Sequence, residues 1–276
     1  MDVPHEGRTL DHHLGVARDN GLGIGHHHNC HPGVSAIVED EGILDYFDAS
    51  GDLEDVADYR LGGFHPVHIG DIINGKFEVV HKLGSGGYGV VWLCLDKTLL
   101  VNKWRAVKVM AADHSSKGRD KLVLRHLRSK ASVEMLLENH IAVPVEEFWV
   151  EGPNGKHLCF VMPFLGCNVG TCRWGLDWKE EEPGTLPKGI CRQIVTALGF
   201  LHGHGVCHGD FLPSSILKQL KDIDGLEKQQ VYNLLGKPWR TKIDQSNLPG
   251  SGTCPKYCVV PIVREAPRTI KSACYQ

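Results

Sequence analysis

No apolar run in this 276-residue chain approaches the roughly 18–20 residues needed to cross a bilayer, so no membrane span is expected. Neither sign of charge is in excess. Thirty Lys and Arg stand against 33 Asp and Glu, a formal charge of −3, which argues against a nucleic-acid partner or a polybasic membrane surface. The start, MDVPHEGRTLDHH, lacks the basic end and apolar core of a secretory signal. Ten cysteines are present without one C-x-x-C pair, so the spacing of a structural zinc site or a disulfide framework is missing. Most lie in apolar stretches, as Cys94 does in VVWLCL and Cys159 in HLCFVM, where a reduced thiol packs as a small hydrophobe. With 42% hydrophobic and 23% charged residues, what is present is ordinary globular composition. These features predict a soluble intracellular protein.

The chain changes character along its length. Residues 1 to about 36 hold seven of the 17 histidines. The cluster His26-His27-His28-Asn29-Cys30-His31 has metal-ligating residue types, but the lack of periodicity predicts a polar tail. An acidic stretch from Glu39 to Asp58 reads as a solvated linker. From Lys76 the pattern turns to β. KFEVVHKL, VVWLCL, RAVKVM, VPVEEFWV and HLCFVMPF predict five strands of a mostly antiparallel sheet, with one helix over about Gly118 to Lys130. Ile190, Ile194, Ala197, Leu198 and Leu201 then form the stripe of an amphipathic helix over 188–204. Residues 220–256 are polar and turn-rich, with a short helix expected over 226–235 and a strand at YCVVPIV.

The chemistry is concentrated in three places. Gly84-Ser85-Gly86-Gly87-Tyr88-Gly89-Val90-Val91 matches G-x-G-x-x-G-x-V. A strand follows the glycines where a dinucleotide fold needs a helix, and no Gly-Lys-Ser/Thr follows as a P-loop requires. A glycine-rich hairpin remains, in which missing side chains let backbone N–H groups approach phosphates. That reading calls for a lysine on the next strand, and Lys108 stands there between Val107 and Val109. Further on, after the amphipathic helix, His208-Gly209-Asp210 offers a carboxylate able to accept the proton of an attacking hydroxyl.

In this order and spacing the sequence resembles a eukaryotic-type protein kinase, and most of all the SR-protein-specific kinase family, its fungal members in particular. The resemblance rests on DYRLGGFHPVHIGDIINGKFEVVHKLGSGGYGVVWL (58–93), VEGPNGKHLCFVMPFLG (150–166) and ICRQIVTALGFLHGHGVCHGD (190–210). It implies an α+β kinase-like fold with a complete five-stranded N-lobe and a partial helical C-lobe. It also implies a division into a tail (1–53), the N-lobe with its lead-in and hinge (54–166), a partial C-lobe (167–217), and a family-type insert with a truncated end (218–276). The implied activity is ATP- and Mg2+-dependent phosphorylation of Ser in Arg-Ser-rich proteins, in the cytoplasm, the nucleus or both. Carried over by position, Leu83, Gly84, Ser85, Gly86, Gly87, Tyr88, Gly89, Val91 and Ala106 would surround the nucleotide. Lys108 would hold its phosphates, Met162 and Leu165 would line the back of the pocket and the hinge, and Asp210 would be the catalytic base.

The pattern also breaks. The acid expected to pair with Lys108 is Asp120, where the family has Glu. The loop Asp210-Phe211-Leu212-Pro213-Ser214-Ser215 carries Leu212 where the family has Lys and Ser215 where its metal-binding Asn belongs. There is no Asp-Phe-Gly equivalent, although Thr269-Ile270-Lys271-Ser272-Ala273-Cys274 resembles its flanks, so no intact metal site is expected. Three readings stay open: a Ser/Thr kinase represented by an incomplete chain, a catalytically silent pseudokinase-like module that binds nucleotide or a partner, and a fragment without independent function.

Overall fold

The structure is a computed structural model that describes residues 53–116, 119–166, 168–169, 185–218, 223–243 and 252–262. The N-terminal histidine cluster and the junction at Thr269–Cys274 lie outside the described residues.

Strands β1 (Ile72–Ile73), β2 (Phe77–Gly86), β3 (Gly89–Asp96), β4 (Lys103–Met110), β5 (Glu146–Gly152) and β6 (Gly155–Pro163) form one antiparallel sheet in the order β1-β2-β3-β4-β6-β5. The five predicted strands are all present; the sheet has six because of β1. Asn74 and Gly75, both at positive φ (54° and 63°), turn the chain so that Ile73 pairs with Phe77. Asn-Gly is the dipeptide that tolerates this conformation. Three helices, not one, separate β4 from β5: α1 (Ala112–Ser116), α2 (Arg119–Lys130) and α3 (Val133–Glu138). α3 starts at Ser132, whose side chain accepts a bond from the Met135 N–H and so caps the helix.

Directly paired residues of antiparallel strands project to the same face. Phe77, Val79, Trp92, Cys94, Val107, Val109, Cys159 and Val161 make the outer face, where they bury together with Tyr59, Phe64 and Val67 of the lead-in and Val259. The inner face carries Leu93, Leu95, Trp104, Ala106, Lys108, Met110, Leu158 and Phe160.

α4 (Thr185–Gly203) realises the predicted amphipathic helix, and its C-terminal end meets the sheet domain. Leu201, with Phe200 and Val206, packs on Leu127, Ala131, Leu136 and Val143.

Residues 223–243 and 252–262 fold back across the sheet. Here α5 (Lys228–Leu235) matches the expected helix, and β8 (Tyr257–Val259) ends before Pro261 and pairs with β7 (Arg240–Lys242). Val231, Leu235 and Ile262 cover the inner face at Val80, Leu93, Leu95 and Trp104. On the outer side the Ile69 N–H donates to the Tyr257 hydroxyl (3.1 Å), the Lys256 N–H to His68 Nε2 (3.0 Å), and the Asn154 side-chain amide to both the Phe64 and Thr253 carbonyls (2.6 Å each).

The acidic linker reading fails at its C-terminal end. Glu54 is buried, ion-paired with the fully buried Lys82 of β2, and accepts the Tyr59 hydroxyl at 2.7 Å. A buried ammonium requires a charged partner, and Glu54 of the lead-in supplies one. Among the described residues Cys94, Cys159 and Cys258 are buried free thiols, as the apolar contexts of Cys94 and Cys159 predict, whereas Cys191 and Cys207 are exposed.

Candidate functional site

The glycine motif forms the hairpin between β2 and β3, closed by the pairing Gly86↔Gly89 with Gly87 and Tyr88 at its tip. Its glycines serve different ends. A Cβ on Gly89 would stand 2.3 Å from the Val109 carbonyl oxygen, and its φ is +153°, so close approach to β4 demands glycine there. At Gly84 and Gly86 a Cβ would meet no protein atom within 4 Å and the backbone asks for no special residue. Space kept clear at two positions the fold could fill is what a ligand approaching the hairpin backbone requires.

The register gathers most of the expected residues. Gly84 pairs with Val91, Val91 with Lys108, and Lys108 with Phe160, giving one cross-strand row; Leu93, Ala106 and Met162 give the next. Val91, Lys108 and Met162 are half-buried and Ala106 is buried. Lys108 sits on β4, an interior strand between β3 and β6, which excludes an edge-strand surface lysine. Both ends of these rows are walled. Leu124 of α2 packs on Met110, Leu158 and Phe160 at one end, while α5 packs on Leu93, Leu95 and Trp104 at the other. Leu83 and the hinge residue Phe164 join the α5 cluster. This second wall is invisible in the motifs, because its residues come from a turn-rich segment more than a hundred positions away. Asp120 lies on α2, but its side chain is outside the described residues.

Asp210 lies on a separate loop. The hinge residue Gly166 donates its N–H to the Lys218 carbonyl (2.8 Å), the Val169 N–H goes to the Ile216 carbonyl (2.8 Å), and Asn168 bridges Leu217. The loop Asp210–Ser215 is therefore tethered to the hinge directly after Ser215, and held on its other side through Val206. Asp210, Leu212 and Ser215 are exposed, and the Ser215 hydroxyl donates to the Asp210 carbonyl at 3.1 Å. Among the described residues no group of three or more His, Cys, Asp or Glu gathers as a metal site. No helix of the described residues is long and apolar enough to cross a membrane.

Comparison with known proteins agrees with this arrangement. The model of the protein kinase domain family matches residues 77–225, a little over half of the chain. Serine/threonine-protein kinase spk-1 of Caenorhabditis elegans is 33% identical over 171 residues, 59% of this chain and 16% of that protein. SRSF protein kinase 3 of Homo sapiens is 33% identical over 169 residues (59% and 29%). Serine/threonine-protein kinase SKY1 of Saccharomyces cerevisiae is 30% identical over 184 residues (63% and 24%). The chain thus spans less than a third of the length of each of these relatives. With glycine hairpin, strand lysine and tethered Asp210 loop in the kinase order, the chain belongs to the protein kinase family, and SRSF protein kinase 3 is among the relatives it resembles.

Proposed function

We propose that the chain binds ATP between the β2–β3 hairpin and the hinge at 163–166, and serves phosphoryl transfer to serine hydroxyls of Arg-Ser-rich proteins in the cytoplasm or nucleus. One observation carries the nucleotide reading: the row Gly84–Val91–Lys108, with space kept open at Gly84 and Gly86. Hairpin N–H groups and the Lys108 ammonium would offset phosphate charge, while Leu83, Val91, Ala106 and Met162 would give adenine an apolar slot. Pro163 has no N–H and that of Gly166 is engaged with Lys218, which leaves Phe164 and Leu165 to donate to the base.

In transfer, the serine oxygen forms a bond to the γ-phosphorus as the bond to the β–γ bridging oxygen breaks. ADP departs with that electron pair, and the serine proton passes to the Asp210 carboxylate. A kinase domain implies a divalent metal, and by family that ion is Mg2+. At the loop the described residues offer one carboxylate, Asp210, and one neutral hydroxyl, Ser215. A neutral hydroxyl is a weaker ligand than the amide carbonyl of the Asn that the family carries there, so the described residues hold the ion less well than an intact loop. This observation favours a second reading, a pseudokinase-like module that binds nucleotide without transferring phosphate.

A thermal-shift titration with ATP tests binding: a midpoint that rises with ATP, and does not rise in Lys108→Met, supports it. Radiolabelled transfer to an Arg-Ser peptide separates the readings. Transfer above the Lys108→Met control establishes the kinase; an ATP shift without transfer establishes the silent module; no shift with any nucleotide overturns both.

A further inference from the structure

The tip of the glycine hairpin is tied down. The Tyr88 carbonyl accepts the Ala111 N–H at 3.0 Å, and the Tyr88 ring stands edge-on to the His114 ring of α1, with centroids 4.8 Å apart and planes at 85°. Tyr88 is 62% exposed, so burial does not explain where its ring goes. The neighbouring backbone has little stiffness of its own, since Gly84, Gly86 and Gly87 touch nothing through a side chain. His114 lies at the β4 end nearest Lys108, separated from it by the turn that starts α1.

From this geometry we propose that Tyr88 and His114 form a pin that sets the resting position of the hairpin and so its hold on the phosphates of a nucleotide. The inference rests on the nucleotide reading above. Without the pin the tip keeps only its backbone bond to Ala111 and more of its ordering falls at the moment of binding, a cost borne by ligands that touch the hairpin backbone. ATP does so through its phosphates; adenosine, lacking them, occupies only the apolar slot. Both residues are positioning residues, acting through the hairpin backbone.

The experiment compares ATP and adenosine affinities, by calorimetry on the full chain, for wild type, Tyr88→Ala, His114→Ala, the double variant and Tyr88→Phe. Either Ala variant is expected to weaken ATP about 3- to 10-fold, the range set by ordering one side chain, and adenosine less, so that the ATP-to-adenosine affinity ratio falls. The double variant should lose no more than a single one, because both remove one contact. Tyr88→Phe keeps the ring and should restore the wild-type ratio. Amide hydrogen exchange at residues 84–89, read without ligand, should quicken in both Ala variants and not in Tyr88→Phe. An ATP-to-adenosine ratio unmoved in both Ala variants, or exchange unmoved, overturns the pin. A wild-type chain that binds neither ligand instead overturns the nucleotide reading, and the exchange experiment then still decides whether the pin exists.

Discussion

Trp104 of β4 donates its backbone N–H to the carboxylate of Asp224 at 2.6 Å, although the two residues lie 120 positions apart. The same carboxylate faces Lys103 (3.3 Å) and Arg105 (3.4 Å), and the Trp104 indole N–H donates to the Leu226 carbonyl at 3.1 Å. Asp224 therefore fastens the returning segment to the strand that carries Lys108. Asp224→Ala is expected to cost about 1–3 kcal/mol, the penalty for leaving polar partners poorly satisfied. Urea unfolding followed by circular dichroism measures this; a midpoint within error of wild type would show that the segment docks by apolar contact alone.

Lys82 and Glu54 make a sharper case. Both side chains are essentially excluded from water. Glu54→Gln takes away the carboxylate that faces the buried ammonium and is expected to destabilise by about 3–5 kcal/mol, whereas Lys82→Met combined with Glu54→Gln should recover much of the loss. The comparison of the three melts checks it, and a double variant no better than Glu54→Gln argues against a charge-burial origin.

Acid should weaken the fold through its buried histidines. Burial holds His81 down at a pKa of about 4, and burial together with the neighbouring His157 ring does the same to His65. Unfolded histidine titrates near 6.5, so below that pH the unfolded chain takes up protons the folded chain refuses. The contribution is complete above about pH 6.5, fades as the pH falls, and is exhausted near pH 4. For His81 the loss between pH 7.5 and 5 is on the order of 2 kcal/mol. Urea midpoints across that range should fall, and fall less in His81→Leu; a parallel decline in both proteins contradicts the assignment.

The glycines of the hairpin should separate by substitution. Gly89→Ala must displace the Val109 carbonyl and is expected to cost roughly 1–3 kcal/mol of stability. Gly84→Ala and Gly86→Ala meet no protein atom and should melt close to wild type, yet narrow the approach to the hairpin backbone and weaken ATP. Melting temperature and ATP titration on the same three variants test both halves at once.

Much of the sheet domain was readable in the sequence because its signals are local. Apolar alternation marks the strands, and G-x-G-x-x-G marks the hairpin. Placing Lys108 one strand further on puts it beside Val91, as the register shows. The edge strand β1 was also announced, by Asn74-Gly75, but two residues are too short to show periodicity. What escaped was the set of charges and walls formed at long range. Glu54 reads as one more acid in an acidic stretch, and its burial depends on Lys82, which is 28 residues away. Val231 and Leu235 read as one short helix, with nothing to say that they wall the inner face.

By itself, then, the sequence determined which segments become strands, where the glycine hairpin falls, and on which strand Lys108 stands. These follow from residue type and spacing within one or two elements. Only the tertiary structure decided that residues 223–243 and 252–262 return to cover parts of both faces of the sheet, and that Tyr88 is held against His114. Burial and close packing are satisfied by whichever segment can reach the uncovered surface, and reach is a property of the folded chain.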